Sequence, residues 1–332
     1  MRIILVQNPL AITNNQVIDT VNAIAWKESI EVISTAIRSL GHTVGFLPAD
    51  SDLESKIHSE NPDLIFLQSF RVDPGQYIFT AQEIFERLGI PYTSSPLSAS
   101  LLARDKYRAK TIFRDNDLPT AAFALVDPEE KTSRKPDNLA FPLFIKPIST
   151  GSSQGIHADN PVYTDGAYER VVRETLAFVN LPLLVETFIS GREFTVGILG
   201  NDPAIVLPIR EFIDLQPSGS GVLFRSFSGK ADKVMKEHTV CPADISDEKR
   251  ELIASLAVRA FKALGCADYG RVDFRCDETG NPFLLEINVH PSLRYGSSFP
   301  EMAALHGLTY PQTIHAIIQA AVARYPDQVQ LT

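Results

Sequence analysis

Residues 269 to 292 read YGRVDFRCDETGNPFLLEINVHPS. Two arms in which apolar and polar residues alternate flank Asp277-Glu278-Thr279-Gly280-Asn281, a turn-forming run, and the pattern predicts a β-hairpin. Side chains two apart share a strand face, which groups Arg271 with Asp273 and Glu286 with Asn288. With the turn centred on Glu278 to Asn281, Asp273 falls opposite Glu286, and Val272, Phe274, Leu285 and Ile287 take the other, core-facing side. Two carboxylates and an amide oxygen converging on one face repel each other unless a hard cation sits between them. Oxygen donors of this kind suit Mg2+ bound together with substrate phosphates. The plainer alternative is a solvated sheet face with a chance Arg271/Asp273 pair.

Outward from this hairpin the chain divides by pattern. Residues 247 to 264 read as a helix before it and Pro311 to Arg324 as a helix after it. Upstream, EFTVGILG and AIVLPI are β-rich, and the aperiodic polar segment from Gln216 to Lys236 has the length of a functional lid or of a simply disordered stretch. At the other end, Ile3 to Val6, Thr43 to Leu47 and Leu64 to Leu67 read as strands. They alternate with a helix running through Ile24, Ile30, Ile33, Ile37 and Leu40 to Gly41, a short helix opened by a Ser51/Glu54 capping box and broken at Asn61-Pro62, and a helix near Ala81 to Leu88. The turn at 89–92 leads into a further strand. Such alternation predicts a parallel sheet covered by helices. Between the two ends, LLARDKYRAKTIFRDN (101–116) reads as one charged helix, Leu143 to Lys146 and Leu183 to Glu186 as strands, and Ala167 to Asn180 as a helix. The expected class is α/β and α+β, with an N-terminal domain at 1–95, a central subdomain at 96–186 and a C-terminal subdomain at 187–332.

The run FIKP (144–147) followed by STGSSQGIH puts Lys146 at the end of a strand and a flexible loop directly after it. Gly151 and Gly155 permit backbone conformations that turn N–H groups inward, and Ser152 and Ser153 add hydroxyl donors, all suited to polyphosphate oxygens. The loop matches neither a P-loop nor a Rossmann pattern, and as a bare feature it also reads as a plain connection. Glu186 and Glu193 bracket an apolar turn in LVETFISGREFTV, two acceptors of the kind an adenosine site needs. The alternative has Glu193 pairing with Arg192 or a neighbouring strand, and Lys106 merely exposed on its helix.

Bulk chemistry narrows the partners. The 31 basic and 40 acidic residues give a formal charge of −9, and no basic run of five appears, which excludes a nucleic-acid or anionic-membrane surface as the expected partner. Three cysteines, Cys241, Cys266 and Cys276, form no CxxC pair, and each lies beside an apolar pattern, so buried reduced thiols in a cytoplasmic protein are expected. MRIILVQNP is too short for a signal peptide and suits a first buried strand.

Taken in order, RDKYRAK, FIKPISTGSSQGI, VETFISGREFTVGILG and the hairpin resemble the D-alanine:D-alanine ligase branch of the ATP-grasp superfamily. The resemblance implies an ATP-grasp fold of three sub-domains with the nucleotide between the central and C-terminal units. It implies ATP and Mg2+, as two ions that Mn2+ can replace, as cofactors. Lys106, Lys146, Gly151, Ser153, Gly155, Glu186, Ile189 and Glu193 then line the ATP site. Asp273, Glu286 and Asn288 match the metal ligands. Arg271, Lys230 and Ser152 match catalytic positions, and Ser297 falls where a serine contacts the second substrate's carboxylate. The implied reaction joins a carboxylate to an amine through an acyl-phosphate, in an enzyme that is commonly a homodimer.

The departures lie on the substrate side. QNPLAITNNQVIDT replaces the family's Gly-Gly-x-Ser opening, leaving Glu28 as the nearest acid; Ala231 stands for the lid tyrosine and Ser292 for the oxyanion-hole glycine. His290, Arg294 and Tyr295 are absent from the usual run and read as contacts to a different substrate. The expected function is therefore ligation of an amino acid to a carboxylate metabolite in a specialised pathway, the mycosporine-glycine amino-acid ligases being one group that fits. The alternatives are a D-alanine:D-alanine ligase of cell-wall synthesis, a phosphotransferase that stops at the phosphorylated acid, and a nucleotide-binding regulatory protein without turnover.

Overall fold

Arg2–Gln7 (β1) is the middle strand of a parallel sheet, flanked by β2 (Thr43–Pro48) and β3 (Leu64–Gln68). Its unbroken apolar run follows from burial on both faces. Ile3 and Leu5 face α1 (Gln16–Ser39), whereas Ile4 and Val6 face α2 (Leu53–Glu60) and α3 (Gln76–Leu88). In this computed structural model residues 1–7, 16–68, 76–128, 134–149, 159–179, 181–213 and 238–329 are described. None of the helices among them is long and apolar enough to cross a membrane.

Two short helices, α4 (Leu97–Arg104) and α5 (Lys106–Asp115), lead to an antiparallel sheet of β4 (Phe123–Val126), β5 (Leu143–Pro147) and β6 (Leu183–Thr187) in the order β4-β6-β5. Helix α6 (Asp165–Val179) packs on it through Tyr168, Val171 and Val172. The third sheet is also antiparallel, in the order β10-β9-β7-β11-β12 with β8 beside β7. Its strands are β7 (Glu193–Leu199), β8 (Ile205–Val206), β9 (Arg210–Ile213), β10 (His238–Val240), β11 (Tyr269–Cys276) and β12 (Pro282–Asn288). Helix α7 (Asp247–Ala263) covers it, sharing a core with Ala103, Ala109 and Phe113 of α4 and α5. Helices α8 (Ser298–Leu305) and α9 (Tyr310–Val322) follow, and α9 closes the core of the first sheet.

Several local expectations change. The helix expected over 101–116 is two helices broken at Asp105, whose carboxylate accepts from the Arg108 N–H and restarts the chain as the N-cap of α5. The Ser51/Glu54 capping box does not form: Asp52 is the N-cap of α2 and makes no side-chain cap bond. The strand expected after the 89–92 turn is a single bridge between Tyr92 and Ile65. Strand β4 and helix α8 carried no signal strong enough to be expected. In the hairpin, Asp273 does lie opposite Glu286, but Phe274 pairs with Leu284. Leu285 is thus the extra residue of a β-bulge, and Leu284 takes the fully buried place expected for it. The turn forms at 277–281, where the Asp277 carboxylate accepts from the backbone of Thr279 and Asn281, and Gly280 supplies the left-handed φ of +88°.

A buried ion pair ties the first unit to the third. Arg324 donates to both oxygens of Asp268 at 3.0 and 2.7 Å, and to the Tyr92 carbonyl at 2.7 Å. Asp268 has no exposed surface and also accepts from the Ser94 N–H at 2.8 Å. Both residues hold positive φ, +65° at Asp268 and +84° at Ser94, conformations that persist because this network fixes them.

Candidate functional site

β11 and β12 set Arg271 opposite Asn288 and Asp273 opposite Glu286. Arg271 donates through Nε and one Nη to the two Asp273 oxygens, each at 2.9 Å, and Thr195 on β7 donates to Asp273 Oδ1 at 2.5 Å. Glu286 faces Lys106 Nζ at 3.6 Å and keeps 41% of its side chain exposed. Each carboxylate thus has a cationic partner in the protein, so the repulsion inferred from the sequence is already relieved. Asp273 and its two guanidinium bonds still leave oxygen lone pairs, and Asn288 Oδ1 accepts one bond, from the His290 N–H at 3.0 Å. This all-oxygen trio has the donor chemistry for Mg2+ shared with phosphates. Among the described residues no group of three or more His, Cys, Asp and Glu gathers that would hold a metal without such help.

A second charged group lies on the central sheet. Lys146 of β5 and Lys110 of α5 both meet Glu186 of β6, at 2.5 and 2.8 Å. Lys110 has no exposed surface, and its ammonium also donates to Thr120 Oγ1 at 2.6 Å and the Leu284 carbonyl at 3.3 Å. Burial pushes the Glu186 carboxyl up, but the two lysine charges outweigh it and hold the group at about 2. Burial lowers the Lys106 and Lys110 ammonium groups, against the pull of Glu286 and Glu186 respectively. Arg271 goes the other way: burial opposes its charge, yet Asp273 raises it above its ordinary value. Lys106 is largely buried rather than exposed, and its N–H donates to the Ile148 carbonyl.

Around these charges lie apolar surfaces. Phe144 and Phe188 stack at 5.9 Å with planes 18° apart, and the Arg275 guanidinium sits 4.9 Å from the Phe188 ring. Ile189 is half-buried beside them in sequence. Glu193 pairs with Arg275 across the β7–β11 ladder at 3.6 Å, and Arg192 pairs with Glu211 instead, so a neighbouring strand supplies the partner.

On the substrate side the residues scatter more. His290 Nδ1 lies 3.0 Å from Ser94 Oγ, its Nε2 has no hydrogen-bond partner among the described residues, and burial pushes the imidazole down to about 4. Ser292 and Arg294 are exposed, and the Ser297 hydroxyl sits within hydrogen-bond distance of the Ser292 and Arg294 carbonyls, at 2.7 and 2.6 Å. Glu28 is exposed on α1. Gly151, Ser152, Ser153, Gly155 and Lys230 lie outside the described residues. The sequence reading missed Lys110, Thr195 and Arg275. Only Lys110 left a trace, one helical turn beyond Lys106 on the same helix.

Comparison with known proteins is consistent with this geometry. Residues 112–319 match the family model described as D-ala D-ala ligase C-terminus. The chain is 33% identical over 306 residues to the D-alanine–D-alanine ligase of Pelotomaculum thermopropionicum, covering 88% of this chain and 90% of that protein. It is 35% identical over 246 residues to the corresponding ligase of Bordetella petrii, covering 74% and 72%. In structure it is similar to the D-alanine–D-alanine ligase of Bacillus anthracis complexed with ATP, with a TM-score of 0.74 and 21% identity over 99% of this chain and 100% of that one.

Proposed function

The chain belongs to the D-alanine–D-alanine ligase family of the ATP-grasp superfamily, and from that premise we propose that it joins two molecules of D-alanine, cleaving ATP to ADP and phosphate. The relatives named above support this reading over the specialised-metabolite ligation, such as that of the mycosporine-glycine ligases, expected first from the substrate-side departures, since both are D-alanine–D-alanine ligases. The observation that carries the reading is the meeting of two charged groups: Arg271, Asp273, Glu286 and Asn288 on the third sheet, and Lys146 with Glu186 on the second, with Lys106 bridging to Glu286.

Glu186 accepts from the adenine amino group, Glu193 holds the ribose, and the Phe144/Phe188 stack and Ile189 flank the base. Lys106, Lys146 and the 151–155 loop bind the phosphates. Asp273, Glu286 and Asn288 would hold Mg2+, and the ion when bound would supply charge neutralisation at the phosphates. The carboxylate of the first D-alanine attacks the γ-phosphorus and ADP leaves, giving an acyl-phosphate. The neutral amine of the second attacks the acyl carbon, and the tetrahedral oxyanion collapses with loss of phosphate. Arg271 is assigned to that oxyanion: among the described residues its guanidinium bonds to Asp273 use only Nε and one Nη, and an arginine has further N–H groups to donate. The same reading divides the chain at 1–95, 96–186 and 187–332.

Incubation with D-alanine, ATP and Mg2+, with phosphate and dipeptide both quantified, tests the proposal. Equal amounts of phosphate and D-alanyl-D-alanine are expected. Phosphate release with another acid and amine but not with D-alanine returns the assignment to the broader ligase class. Nucleotide binding without turnover on any pair favours a regulatory protein.

A further inference from the structure

Lys110 has no place in the reaction as written, yet it is the most deeply buried charged side chain at the site. A lysine with no exposed surface loses the hydration of its charge, and such a group persists where a carboxylate and further acceptors replace the water. Here Glu186 lies at 2.8 Å, with Thr120 Oγ1 and the Leu284 carbonyl as the other acceptors. Glu186 at the same time meets Lys146 at 2.5 Å, so one carboxylate serves two ammonium groups. Lys106 has Glu286 as its own counter-charge. Among the described residues these three lysines thus face two carboxylates, an excess of one positive charge.

We propose that Lys110 is a positioning residue of the nucleotide site: by neutralising Glu186 it keeps the charge of Lys146 available to the nucleotide's phosphates. Without Lys110, Lys146 and Glu186 close into a neutral pair and the surplus charge disappears. The inference rests on the nucleotide reading given above and adds to it a residue that touches neither base nor phosphate. The arrangement makes a signed prediction that a purely structural lysine does not. Removing Lys110 weakens phosphate binding, and removing Glu186 as well restores it, because Lys146 is released.

The test is calorimetric binding of Mg-ATP and of Mg-tripolyphosphate, which lacks the base, to the full chain and to K110M, E186Q and K110M/E186Q, with thermal midpoints recorded without ligand. K110M is expected to weaken both ligands about tenfold, the effect of losing roughly one charge-assisted contact. The double variant is expected to bind tripolyphosphate more tightly than K110M. Wild-type affinity in K110M, or a double variant as weak as K110M, overturns the proposal. If K110M does not fold, E186Q alone decides: tighter tripolyphosphate binding than the wild type supports the proposal and unchanged or weaker binding overturns it. A wild-type chain that binds neither ATP nor tripolyphosphate overturns the nucleotide reading itself, a result distinct from any of these.

Discussion

Arg271 holds Asp273 with a planar fork and still has donors to offer, a combination that lysine cannot reproduce. R271M is expected to lower kcat by about 10²–10³, the range for losing one oxyanion donor, with ATP affinity changed far less. R271K is expected to fall nearer the methionine variant than the wild type; a lysine variant with full turnover removes Arg271 from the chemistry. Glu186 gives a prediction in pH. Its folded-state carboxyl sits at about 2 against an ordinary 4.5, so the stability it contributes is complete above about 4.5 and is lost as pH falls toward 2. Across that interval E186Q is expected to show a flatter denaturation midpoint than the wild type, by roughly 3 kcal/mol at most. Parallel pH curves for the two proteins rule this out. At this scale the sequence was legible where chemistry follows strand alternation: Arg271, Asp273, Glu286 and Asn288 sit on one face as their two-residue spacing implies. Lys110 was not legible, because its counter-charge is 76 positions away on strand β6 and no local pattern encodes that meeting.

The elements carry their own lesson in the break at Asp105. A continuous periodic pattern from 101 to 116 conceals an N-cap: aspartate favours caps over helix interiors, but the periodicity runs on through Asp105. The cap makes Lys106 the first residue of α5 and so fixes where its ammonium begins its reach to Glu286. D105A is expected to cost about 1 kcal/mol in urea denaturation and to raise the KM for ATP, while D105N, which still caps, changes neither by much. A stability loss with an unaltered KM separates the cap from the site. The hairpin teaches a related point. Its turn and its facing carboxylates were readable, but the bulge that brings in Leu284 rather than Leu285 is set by β12's outer neighbour. The Leu284 N–H donates to the Pro119 carbonyl, and the Leu284 carbonyl accepts from Thr120, contacts that lie far away in sequence.

Across the molecule, the parallel first sheet was predictable from apolar runs separated by helices, whereas the way the first unit locks to the third was not. Asp268 and Arg324 make that lock, and neither stands out in the sequence. D268N retains a residue type suited to φ +65° while removing the charge, and with R324M it isolates the pair from the backbone. Each single variant is expected to lose about 3–5 kcal/mol of unfolding free energy, and D268N/R324M less than the sum, because no charge is then stranded. Additive losses show that the two side chains do not act as a pair.

The first sheet is incomplete without α9: Ile3, Leu5 and Phe66 share their core with Ile314, Ile317 and Ile318. On a ribosome, some 250 residues must be added between the emergence of β3 and the arrival of that helix, on the order of 10–50 s at ordinary translation rates. For that interval this flank of the sheet has α1 alone to cover it, so the nascent protein is a natural client for a chaperone that shields apolar surface until α9 is made.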